Sequence, residues 1–148
     1  MAGVVDAGRA HGLTLAEEQI VFGEFTVDSG YRMAQQLFAQ AGAGIIEVPT
    51  AIVTCNNSIA IGLSQYLREA GLRVPHDLSV VTFDDLPVSW GNDPFLTVVV
   101  QPAYAMGQRA TELLLRRIEA TAPFPPQQIA LPVEMIVRRS TAQVAPST

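Results

Sequence analysis

Three apolar runs in this chain end in groups that can hold a ligand. AIVTC at 51–55 is followed by Asn56, LSVVTF at 78–83 by Asp84 and Asp85, and QIVFGEF at 19–25 ends in Phe25. A carboxylate accepts hydrogen bonds from hydroxyls, an amide both donates and accepts, and an aromatic face covers apolar C–H groups. Together they suit a hydroxylated ring. Each also has a plain structural reading: Phe25 as core, Asn56 as the cap of the next helix, and Asp84 as an acceptor for loop amides with Asp85 facing solvent. Position favours a site, because parallel strands bring their carboxyl ends to the sheet edge where small ligands bind.

Covalent and metal chemistry find little here. His11 and His76 have no Ser or Cys partner at a catalytic spacing, and no G-x-S-x-G, P-loop or G-x-G-x-x-G occurs. Both histidines read as surface residues, and no enzyme, metal site or cofactor is expected. A phosphorylated receiver domain also gathers aspartates at a strand end, but it needs a lysine, and this chain has none. The lone Cys55 excludes an internal disulfide, fits a reducing compartment and reads as a small buried core residue.

The elements that must place these groups alternate between helix and strand. Residues 2–12 suit a short helix stopped at Gly12, and 19–25 reads as a strand. Thr26 or Asp28 caps a helix with Tyr31, Ala34, Leu37, Phe38 and Ala41 at helical spacing, broken by Gly42 and Gly44. After strand 51–55, helix 58–70 shows Ile59, Leu63, Tyr66, Leu67 and Ala70 on one side. Ala60, Ile61 and Ser64 form a second side, and Gly71 ends the helix. The continuously apolar run 78–83 predicts a strand covered on both faces. A Pro/Gly/Asn-rich loop at 86–95 precedes a β-rich TVVVQ. Helix 104–119 then turns Met106, Ala110, Leu113, Leu114 and Ile118 inward, and a strand follows over 128–138. The pattern predicts an α/β fold: a doubly wound, mostly parallel sheet flanked by helices.

Composition sets the outer limits. The 148 residues fit one domain of ordinary size, 49% hydrophobic and 16% charged, so the chain can bury a core. Its net charge of −5 is opposite to that of an isolated nucleic-acid-binding domain. No apolar run nears the ~20 residues that span a bilayer, and the first residues lack the pattern of an export signal.

Residues 49–107, from PTAIVTCNN through VPHDLSVVTFDD to PFLTVVVQP, closely resemble the effector-binding core of the LacI/GalR family of bacterial transcription regulators. That family reads P-T-A-I-x-x-x-N-D, G-L-x-V-P-x-D-x-S-V-V-G-F-D-D and P-x-L-T-T-V-x-Q-P. Looser support comes from Gly3–Leu13, from Phe25 to Tyr31, and from R-x-S-T at Arg138–Thr141. The resemblance implies a periplasmic-binding-protein-like type I fold and a small, sugar-like effector contacted by Asn56 and Asp84, with Phe25 lining the pocket. Ala60, Ile61, Ser64 and Asn92 match positions where members form homodimers.

The resemblance further implies that residues 1–95 are the second subdomain and that 96–138 hold a crossover strand, a helix of the first subdomain and a return strand. A polar tail follows at 139–148. The helix-turn-helix domain through which members bind operator DNA, the first subdomain and the pocket arginine are expected to lie outside these residues. A cytoplasmic regulator that touches no membrane is the expectation. The alternatives are part of a periplasmic-type sugar-binding protein, or a structural oligomerisation piece. Asn57 departs from the family's acidic residue and Thr82 from its glycine, while Val98 stands where a second threonine is common.

Overall fold

The computed structural model describes residues 2–85, 94–122 and 124–143. In chain order the elements are α1 (Ala2–Ala10), a 3₁₀ turn at Glu17–Gln19, α2 (Val27–Gly42), β1 (Ala51–Thr54) and α3 (Asn57–Glu69). Then follow β2 (Ser79–Phe83), β3 (Thr97–Val100), α4 (Ala103–Glu119) and β4 (Glu134–Ile136). The strands form one sheet in the order β1-β2-β3-β4. β1–β2 and β2–β3 are parallel, and β4 returns antiparallel to β3. This is the mostly parallel α/β sheet with helices that the alternating pattern predicts.

Helix ends follow local chemistry. The Thr26 side chain accepts from Ser29 N at 3.2 Å and starts α2. Gly44 and Gly71 take positive φ after α2 and α3 (71° and 72°), a backbone region that glycine adopts without strain. They let Ile45 N reach Gln40 O at 3.0 Å and Leu72 N reach Leu67 O at 2.9 Å, closing orphan carbonyls.

The core lies between one sheet face and the α2/α3 pair: Ala34, Ala60, Leu63, Leu67, Leu78, Val80, Leu96 and Val98. α3 meets α2 along Ile59, Gly62 and Tyr66. Gly30 and Gly62 bring the helices so close that a Cβ at Gly62 would strike Val27 O and come within 2.5 Å of Tyr31 N. Tyr66 then packs edge-on to Tyr31 at 5.6 Å and stacks on Phe38 at 5.5 Å.

Five expectations are corrected. Residues 20–25 form no strand, and among the described residues no strand pairs with them. β2 is buried on alternate residues only (Val80 and Thr82), since helices cover one sheet face. Within the expected strand 128–138 only 134–136 pair. α4 has no buried residue: Met106, Leu114 and Ile118 are exposed rather than turned into a core. Residues 139–142 are no tail. Ser140 is fully buried, its hydroxyl donating to Val80 O at 2.6 Å and accepting from Thr97 N at 2.7 Å. It locks the entry ends of β2 and β3.

Candidate functional site

Parallel register brings Asn56 and Asp84 to one edge. Thr54 of β1 stands opposite Thr82 of β2, and each site residue lies two positions beyond its threonine. Asn56 also caps α3, its Oδ1 accepting from Ile59 N at 2.8 Å. The cap engages the carbonyl oxygen and leaves the NH₂ outside that bond.

Asp84 has positive φ (67°), unusual for a residue with a Cβ. Its N–H donates to Val99 O at 2.9 Å, and its Oδ1 accepts from Gln101 Nε2 at 2.8 Å. Asp85 does not simply face solvent. Arg138 grips its carboxylate with both nitrogens at 2.7 and 2.5 Å, and Arg138 Nη1 also donates to Leu96 O at 3.1 Å. The hydrogen-bonded Asp85 carboxylate pushes the Arg138 guanidinium further above its usual range. Asn57 Nδ2 donates to Asp85 O at 3.1 Å. The family's acidic residue at this position has no such donor when ionised.

The neighbouring aspartates therefore divide: Asp85 ties strand ends together through Arg138, and Asp84 stands at the edge with its carboxylate on Gln101. The third expected ligand, Phe25, stands 69% exposed on the segment entering α2. Next to the edge, an open groove of about 380 Å³ runs between α4 and residues 127–133, bordered by Phe83, Gln101, Met106 and Leu113. It is chiefly apolar and does not include Asn56 or Asp84.

The expected dimer positions fare differently. Ala60 is 0% exposed and Ile61 7%, both buried inside this chain, so they leave no free face there. Of the three expected positions on α3, Ser64 is exposed, its hydroxyl donating to Ala60 O at 2.7 Å. Asn92 lies outside the described residues. Cys55, expected in the core, is exposed just past the end of β1. Gln101 and Arg138 had no role assigned from sequence, although each sits in a quoted motif, Q-P and R-x-S-T.

Residues 1–141 match the model of the periplasmic binding protein-like domain. The chain belongs to this family. The HTH-type transcriptional repressor PurR of Erwinia tasmaniensis is 37% identical over 141 residues, covering 95% of this chain and 40% of that protein. CytR of Escherichia coli, also an HTH-type transcriptional repressor, is 31% identical over 141 residues with the same shares. Among solved structures, the complex of the transcriptional regulator CelR with cellobiose superposes with a TM-score of 0.82 at 31% identity, covering 93% of this chain and 40% of that one.

The periplasmic binding protein-like domain here is thus of the LacI/GalR regulator type, as residues 49–107 imply. It spans about two fifths of the length of the curated relatives it matches. Among its described residues no helix is long and apolar enough to cross a membrane.

Proposed function

We propose that this chain is the effector-sensing part of a LacI-type transcription repressor, and that Asn56 and Asp84 contact a small, neutral, sugar-like effector. The carrying observation is the Asn56–Asp84 edge, where an amide and a carboxylate stand side by side at the carboxyl ends of adjacent parallel strands. The named relatives are repressors, and one similar structure holds a disaccharide, which supports the sugar class.

On this reading residues 1–95 belong to one subdomain and 96–138 carry the crossover to a second. The regulator works in the cytoplasm as a homodimer and is not an enzyme. It binds operator DNA through a separate helix-turn-helix part. Effector acts by preferring one arrangement of the subdomains.

The test uses the protein encoded by the complete gene, with DNA from its own upstream region and a panel of mono- and disaccharides, nucleosides and nucleobases. At least one compound should change operator affinity. Asp84→Asn should weaken binding of that compound by about 10- to 150-fold, the loss of a charge-assisted hydrogen bond of ~1.5–3 kcal/mol. Operator binding indifferent to every compound would refute the sensor. Ligand binding without any operator binding would point instead to a transport-type sugar-binding protein.

A further inference from the structure

Asp84 is the one non-glycine residue with positive φ among the described residues. Its side chain therefore leaves the sheet edge in a direction that regular strand geometry does not set. Its backbone N–H is tied to Val99 O at 2.9 Å, which fixes the Cα but leaves χ1 free. Gln101 addresses the remaining freedom. It stands just past the end of β3, half-buried, with Pro102 and the first turn of α4 behind it. Its Nε2 reaches Asp84 Oδ1 at 2.8 Å. An ionised carboxylate only accepts, so the glutamine must present its NH₂ to it.

We infer that Gln101 is a positioning residue which holds the Asp84 carboxylate in a single rotamer at the strand edge, set to receive a donor group of a neutral ligand. The inference rests on the proposed reading of Asp84 as an effector contact. Orientation is then settled before the ligand arrives, so the ligand meets an acceptor whose rotamer entropy is already spent. It also constrains ligand chemistry. With Oδ1 engaged by Gln101, the carboxylate keeps acceptor capacity only. Hydroxyl or N–H groups match it, and a phosphate or carboxylate at the same spot is repelled.

The experiment is side-chain NMR on this 148-residue chain, isotopically labelled. Three-bond couplings to the Asp84 β-protons should report one χ1 rotamer in the wild type and rotamer averaging in Gln101→Leu, with an unchanged thermal midpoint. Gln101→Glu should disperse the Asp84 rotamer as well, through carboxylate repulsion. Asn56→Ala should leave it alone. If the variants fold poorly, the wild-type chain still decides: the Gln101 side-chain amide protons should show nuclear Overhauser effects to the Asp84 β-protons. A single Asp84 rotamer retained in Gln101→Leu, or amide protons indifferent to Asp84, overturns the inference. Effector binding that ignores Asp84→Asn would overturn the ligand reading instead, so the two failures are separable.

Discussion

Alanine at Gly62 should destabilise the chain by about 2–4 kcal/mol, although alanine is the better helix former by ~1 kcal/mol. The reason is the α2–α3 contact. A Cβ at Gly62 would strike Val27 O and come within 2.5 Å of Tyr31 N and 2.9 Å of Gly30 C. All three are backbone atoms, which have no rotamer to yield. To restore ordinary contact the helices must part by roughly an ångström, and close-packed interiors do not absorb that freely. Parting loosens the Tyr31–Tyr66 and Phe38–Tyr66 ring pairs, each worth ~0.5–1.5 kcal/mol beyond burial. It also strains the Tyr31 hydroxyl bond to Glu69 Oε2 at 2.6 Å. Gly107 in α4 is the control, because a Cβ there meets nothing within 4 Å. Gly107→Ala should stabilise α4 locally by up to ~1 kcal/mol. Urea unfolding followed by far-ultraviolet circular dichroism measures both. Gly62→Ala as stable as the wild type would refute the close-approach argument.

Thr54 Oγ1 is buried without a hydrogen-bond partner among the described residues, so Thr54→Val should raise stability, by up to the ~1–3 kcal/mol that an unmade buried bond costs; a loss in urea unfolding would mean the hydroxyl is bonded after all. The Asp77 carboxyl is held well below its ordinary value of 3.8 by the Arg73 side chain first, then His76 and the Arg73 N–H. Its depressed value favours the folded state above that pH and is lost on acidification. The advantage of wild type over Asp77→Asn should therefore shrink as unfolding is measured from pH 6 down through pH 3. Arg138→Leu should cost about 1.5–3 kcal/mol in thermal or urea unfolding, and Arg138→Lys should recover only part of it because the two-nitrogen grip is lost. Phe22, Ile118 and Val137 are each at least 70% exposed, so the chain should self-associate; sedimentation equilibrium giving 15.9 kDa across a tenfold concentration range would defeat this.

What was legible in the sequence was what local chemistry decides. Thr26 as a cap, Gly44 and Gly71 as stops, and the helical spacing of Ala34 and Leu37 all carry their reasons within a few residues. So do the apolar runs of β1 and β2 and the groups at their ends. What was not legible depends on partners far along the chain. Residues 19–25 have strand composition, but a strand exists only where a neighbour supplies its ladder. Asp85 looked solvent-facing because Arg138 lies 53 residues away. Ser140 looked like tail because its two bonds reach 43 and 60 residues back. The faces of α3 were misassigned for a similar reason. Helical spacing shows apolar sides without saying which neighbour each meets, and the glycines at 30 and 62 that seat α2 leave no hydrophobic signal.

Those long-range ties explain why two adjacent aspartates can have different uses. Asp85 is held on its carbonyl by Asn57 and on its carboxylate by Arg138, which itself anchors to Leu96 O and, through its N–H, to Thr97 Oγ1. That network joins the start of α3 and the ends of β2 and β4, so the backbone leaving β2 is fixed on its far side. On its near side the Asp84 N–H is bound to Val99 O. A positive φ at a residue with a Cβ persists only where its surroundings over-determine it, and here they do so from both sides. Held this way, the Asp84 carboxylate accepts from Gln101 and, among the described residues, is not consumed in an ion pair as Asp85 is. The proposed binding role of this edge draws on that asymmetry: one charge satisfied in structure, and its neighbour placed by structure but left with acceptor capacity for a ligand.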